Sequence, residues 1–98
     1  MNLFILYGKV INNIDLQFIY NCDKKILGEK LISIVEIELK LQDSQIVKLH
    51  AYNEMADRIY QKVKEGDYIL IKGKVRSKFL EIEEVQANIE LKTRDLST

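Results

Sequence analysis

The sequence predicts a small all-β domain, a barrel of five strands with one helix between the third and fourth. Three observations carry this. Long stretches alternate apolar and polar residues with a period of two, as half-buried strands do. A single stretch, residues 54–65, changes to helical spacing. Turn-forming residues separate these segments at short intervals, and no proline interrupts any of them.

Residues 3–11 read Leu-Phe-Ile-Leu-Tyr-Gly-Lys-Val-Ile, a run of β-formers with a glycine inside. An interior glycine marks a bend, a bulge or a close backbone approach, which a small barrel needs to close. Asn12 and Asn13 break the run. Residues 15–20 resume it, either as the far half of one bent strand or as a second strand. Residues 21–30 are polar and read as a loop. In residues 31–41, Leu31, Ser33, Val35, Ile37, Leu39 and Leu41 share one face, predicted to be inward. Gln42, Asp43 and Ser44 make a turn. Beyond it, Val47, Leu49 and Ala51 point inward and Ile46, Lys48, His50 and Tyr52 outward, so the two strands form a hairpin.

The helix follows, with Asn53 expected as its N-cap and Gly66 as its stop. Residues 67–76 alternate again, with Ile69, Ile71, Gly73 and Val75 inward. A turn near Ser77 and Lys78 leads to a last strand over residues 79–91. Its alternation slips at Glu83 and Glu84, which predicts a bulge. The order β-β-β-α-β-β is that of the OB fold. Residues 1–92 are expected to form this one domain and residues 93–98 a flexible tail.

Composition narrows the function. A chain of 98 residues holds one core and has little room for a deep cleft. Basic and acidic residues number 15 each, so attraction to a polyanion has to come from a local patch. The single cysteine, Cys22, is expected to be a reduced intracellular thiol. With one histidine, His50, no zinc set can be assembled, so no metal is expected. No apolar run reaches ~18 residues, and no basic leader precedes the first strand, so no membrane association is expected. The carboxylates are scattered, with no nucleophile elbow, P-loop or HExxH motif. The chain is therefore expected to be no enzyme, with no cofactor and no small-molecule substrate. Absent proline, abundant isoleucine and an excess of lysine over arginine fit an AT-rich coding sequence, as in an organelle or a low-GC bacterium.

Several segments resemble bacterial single-stranded DNA-binding proteins and their primosomal protein B relatives. Ile5-Leu6-Tyr7-Gly8-Lys9-Val10 is similar to their opening. Leu49-His50-Ala51-Tyr52-Asn53-Glu54-Met55-Ala56 is similar to their passage from third strand to helix. The run from Val63-Lys64-Glu65-Gly66-Asp67 through Val75 resembles their helix end and fourth strand. Length and neutrality match short plastid-encoded or cyanobacterial members. The resemblance implies a non-catalytic binder of single-stranded DNA, with RNA as the alternative ligand. It implies a homodimer or homotetramer, intracellular, in a plastid or a bacterial cytoplasm, acting in DNA replication or maintenance.

Binding a single strand without sequence preference needs cations for phosphates and aromatic faces for bases. Lys72, Lys74, Arg76 and Lys78 share one side of the fourth strand, with no acidic residue between residues 71 and 79. Lys48, His50 and Tyr52 line the third strand, and Tyr52 sits where the resembling family carries a stacking aromatic. Tyr7 and Lys9 share the outer face of the first strand, and Phe79 begins the fifth. These ten residues are the expected nucleic-acid site, while Phe4 and Tyr60 are assigned to packing. Two features support a different reading, a protein-interaction module that has lost nucleic-acid binding. The chain has no Trp, and Glu81, Glu83, Glu84 and Glu90 make the last strand acidic. Outward-facing Leu3, Ile5, Ile32 and Ile34 point to self-association.

Overall fold

The computed structural model describes residues 2–21 and 30–87. Its elements are β1 (Leu3–Val10), β2 (Gln17–Asn21), β3 (Lys30–Lys40), β4 (Ile46–Tyr52), α1 (Asn53–Lys62), β5 (Tyr68–Val75) and β6 (Leu80–Ala87). The predicted second to fifth strands are β3 to β6. Cys22, the tail and residues 88–91 of the expected last strand lie outside the described residues.

Residues 15–20 prove to be mostly a separate strand, β2, and not an extension of the first. β5 lies between β1 and β6, β6 beside β4, and β4 beside β3. The ring closes where Lys9 and Val10 of β1 pair with Lys40 and Leu39 of β3. Five strands therefore form a closed barrel, mixed because β4 and β6 run parallel, with His50 level with Glu81. β2 stands outside the ring on the edge of β3. With α1 between β4 and β5, this is the OB fold.

Gly8 explains how β1 serves two neighbours. A Cβ there would overlap the carbonyl oxygen of Lys40 and lie 2.9 Å from Leu39 Cγ. Only a glycine lets β1 cross β3 this closely. Past the end of β1, the Asn12 side chain continues the ladder. Its amide donates to the Glu36 carbonyl at 2.8 Å, and its oxygen accepts from the Glu38 N–H at 2.9 Å.

The core follows the alternation read from sequence. Val35, Ile37 and Leu39 of β3, Leu49 and Ala51 of β4, Ile69 and Ile71 of β5 and Ile82 of β6 are buried. α1 closes one end of the barrel with Ala56 and Ile59, and Val63 follows at its C-cap. Leu31 and Val75, expected inward, are 64% and 43% exposed. Leu31 lies on the part of β3 that pairs only with β2, and Val75 ends β5 at the rim. Phe4 packs on the core, but Tyr60 is exposed on the helix.

Asn53 is not the side-chain cap. Tyr52 holds the N-cap position without a side-chain hydrogen bond, and Asn53 takes a φ of 56°, a left-handed conformation that asparagine tolerates. Its carbonyl accepts from Ser33 Oγ at 3.2 Å. The helix ends at Lys62, three residues before the expected boundary. Gly66, with φ 95°, serves the next turn, where its N–H donates to the Val10 carbonyl at 2.7 Å and the Val10 N–H donates to the Asp67 carbonyl at 2.8 Å.

The predicted bulge is present in β6. Lys72 is level with Glu84 and Gly73 with Ile82, so Glu83 is the extra residue. On the same seam a Cβ at Gly73 would overlap the Glu81 carbonyl oxygen and lie 2.7 Å from the Phe4 ring. Gly8→Ala and Gly73→Ala are each expected to cost roughly 1–3 kcal/mol through this overpacking. Urea denaturation checks it, and a native midpoint in either variant contradicts the crossing geometry.

Candidate nucleic-acid interface

β4 places Lys48, His50 and Tyr52 on the outer wall, because residues two apart share a face. The turn between β5 and β6, closed by the Arg76 N–H donating to the Phe79 carbonyl at 2.8 Å, brings Phe79 back over that stripe. Ring centroids lie 5.7 Å apart for His50 and Phe79, 5.6 Å for Tyr52 and Phe79, and 6.4 Å for His50 and Tyr52. The rings meet tilted or edge to face, the favoured geometry for such pairs. All three are half-buried, so part of each remains open to a ligand.

Two carboxylates frame the cluster. His50 Nε2 sits 2.9 Å from Glu36 Oε2, its register partner on β3. His50 Nδ1 is buried without a partner among the described residues. Burial raises the Tyr52 phenol above its ordinary value of 10.0, and the charge on Glu81 adds to the rise. The phenol is therefore neutral near pH 7 and offers an uncharged stacking face.

The basic stripe differs from its sequence reading. Lys72, Lys74 and Arg76 do share the outer side of β5, but β6 sets a carboxylate beside each. Lys72 Nζ lies 3.6 Å from Glu84, Lys74 Nζ 3.4 Å from Glu83, and Arg76 Nε 2.7 Å from Glu81. The local sequence has no acid between residues 71 and 79, yet the neighbouring strand supplies three. The bulge makes the match possible, because it keeps both Glu83 and Glu84 on the outer side. Lys9, Lys48 and Lys78 make no ion pair with a described residue.

The ten expected residues thus fall into groups. His50, Tyr52, Phe79 and Arg76 come together where β4 meets the β5–β6 turn, with Lys48 and Lys78 on the flanking segments. Lys72 and Lys74 extend from there along β5. Tyr7 and Lys9 lie at the opposite end of β5, where Tyr7 stacks on Tyr68 with centroids 6.1 Å apart. Burial raises the Tyr7 phenol, with Tyr68 adding to the effect.

Sequence reasoning missed Tyr68, which alternation had marked as outward, and the pairing role of Glu81, Glu83 and Glu84. It also missed an open pocket of about 270 Å³ beside His50, lined by Asn12, Asn13, Asp15, Gln17, Ile34 and Glu36. That pocket depends on β2 folding back along β3. Among the described residues no group of His, Cys, Asp and Glu is placed to hold a metal ion, and no helix is long and apolar enough to cross a membrane.

No family model matches the chain, and no curated protein matches it. Solved structures do. The SSB domain of a Synechococcus sp. protein superposes with a TM-score of 0.65 and 18% identity, covering 88% of this chain and 94% of that one. The small single-stranded DNA-binding protein of Streptomyces coelicolor superposes with a TM-score of 0.53 and 13% identity, covering 91% and 95%. At these identities the likeness shows a shared OB fold.

Tyr7 and Tyr52 give the site an alkaline signature. Both folded phenols are raised, so above pH ~10 the unfolded chain loses protons that the folded chain keeps. Their contribution to stability is intact below that pH and is lost as pH rises through the folded values. In a spectrophotometric alkaline titration, Y7F and Y52F should each remove a phenol that ionises later than free tyrosine. Loss of an early-ionising phenol contradicts the burial at that position.

Proposed function

We propose that the chain is a non-catalytic, SSB-like binder of single-stranded DNA, without sequence preference, acting in DNA replication or maintenance. The observation that carries this is the cluster of His50, Tyr52 and Phe79 on the outer wall of an OB barrel. Base stacking on aromatic faces is the sequence-tolerant part of single-strand binding. Lys48 and Lys78, free of ion pairs with described residues, flank the cluster and suit phosphates on either side of a stacked base. Two solved structures of this fold are an SSB domain and a single-stranded DNA-binding protein, which supports the same reading.

The proposed site comprises Lys48, His50, Tyr52, Phe79 and Lys78 at its centre. Lys72, Lys74 and Arg76 extend it along β5, and Tyr7 and Lys9 form a second station. RNA is the alternative strand. The site of action is intracellular, a plastid or a bacterial cytoplasm. The assembly is a homodimer or homotetramer, supported by Leu3 and Ile5, 47% and 66% exposed on the outer face of β1.

The charge pairing on β5 and β6 favours one other reading, a protein-interaction module. A partner captured without retention on single-stranded DNA cellulose is its expected result.

Fluorescence anisotropy with labelled oligo-dT tests the function. Y52A and F79A should each weaken binding by roughly 5- to 150-fold, from ~1–3 kcal/mol per base stack, and Y52F should retain it. Native affinity in both alanine variants refutes the platform. Sedimentation of the pure chain should show a dimer or tetramer, and a strict monomer at high concentration refutes self-association.

A further inference from the structure

We propose that Glu81, Glu83 and Glu84 are selectivity residues. They cancel the cationic edge of β5, so that the face takes a strand by its exposed bases and rejects a duplex, which offers mainly phosphates. This rests on the single-strand reading above and deepens it.

The argument begins with geometry. Residues 81–84 read Glu-Ile-Glu-Glu, and strict alternation would send one of the two adjacent glutamates inward. The bulge at Glu83 avoids this, leaving all three carboxylates on the outer side and Ile82 in the core. Each carboxylate then meets one cation, at 2.7, 3.4 and 3.6 Å. Three matched pairs in three positions cancel the whole row.

Stability accounts for little of the row. The Lys72 and Glu84 side chains are 49% and 67% accessible, and Lys74 and Arg76 are 46% and 45% accessible, while Glu83 and Glu81 are half-buried at 35% and 27%. Pairs whose cations are this accessible contribute little to folding. What the carboxylates change is the field that a ligand meets. A duplex carries one charge per ~1.7 Å of axis and keeps its bases stacked, so a protein captures it largely through cations. A neutral row releases no counterions and gives a duplex nothing to hold. A single strand has unstacked bases, and the aromatic cluster adjoins the row: Glu81 pairs with Arg76, lies level with His50 and acts on the Tyr52 phenol. Selectivity then comes from withholding attraction from the wrong partner as well as attracting the right one.

The test uses the full chain and E81Q/E83Q/E84Q, with circular dichroism to confirm folding. Affinities are measured for oligo-dT, for a duplex of equal length and for heparin, at several salt concentrations. The variant should bind duplex and heparin at least tenfold tighter at low salt and oligo-dT about threefold tighter, so the single-to-double-strand ratio falls. Its salt slope for oligo-dT should steepen by about 2, three newly available cations at ~0.7 each. E54Q/D57N, which removes two exposed carboxylates from α1 and none from β6, should keep the native ratio. An unchanged ratio in the triple variant, or an equal rise for both ligands, overturns the assignment. If the triple variant misfolds, E83Q/E84Q is read by the same ratio. A native chain that fails to bind oligo-dT at low salt overturns instead the reading on which this one rests, and shows itself before any variant is compared.

Discussion

The barrel is closed by a short seam. Lys9 and Val10 pair with Lys40 and Leu39, and that pairing completes the ring. The seam depends on backbone contact, since a Cβ on Gly8 would occupy the space of the Lys40 carbonyl. It is held from both sides. The Asn12 amide extends the ladder along β3, and the Gly66 turn exchanges two hydrogen bonds with Val10. The site lies elsewhere on the ring, where β6 runs beside β4 and puts His50 level with Glu81 and Phe79 above the β4 stripe.

Most of the architecture was legible because it rests on local rules. Period-two alternation placed Val35, Ile37, Leu39, Leu49, Ala51, Ile69 and Ile71 in the core, and all are buried. An interior glycine predicted a bend, a bulge or a close backbone approach, of which Gly8 shows the close approach, and a break in alternation at Glu83 and Glu84 predicted the bulge at Glu83. Features set by distant partners were not legible. No local pattern says that Lys72, Lys74 and Arg76 will face Glu84, Glu83 and Glu81, because that depends on the register between two strands. The separate identity of β2 was open for the same reason: it pairs with β3 and not with its sequence neighbour. Asn53 misled because it stands where a cap belongs, while its backbone takes a left-handed turn instead. Of the site, the β4 stripe and Phe79 were readable one by one, but their meeting was not.

The neutrality of the chain can be understood at two scales. Over the whole sequence the charges cancel, and along β5 and β6 they cancel pair by pair. A binder driven by phosphate contacts would need the opposite, a row of unopposed cations. On this surface the elements without an ion pair to a described residue are the partly open rings of Tyr52 and Phe79 and the side chains of Lys48, across from Glu38 on β3, and Lys78. Two stacked bases supply about 2–6 kcal/mol, which falls short of micromolar affinity. Under the proposed function, a single barrel of this kind therefore holds a strand loosely. Tight retention along a long strand requires several barrels acting together, since a second site tethered to the first engages at high effective concentration. The exposed apolar face of β1, with Leu3 and Ile5, offers the surface on which copies could join. Under the proposed function, weak stacking, cancelled charge and an apolar outer strand describe one strategy, in which each barrel contributes selectivity for unstacked bases and affinity is left to assembly.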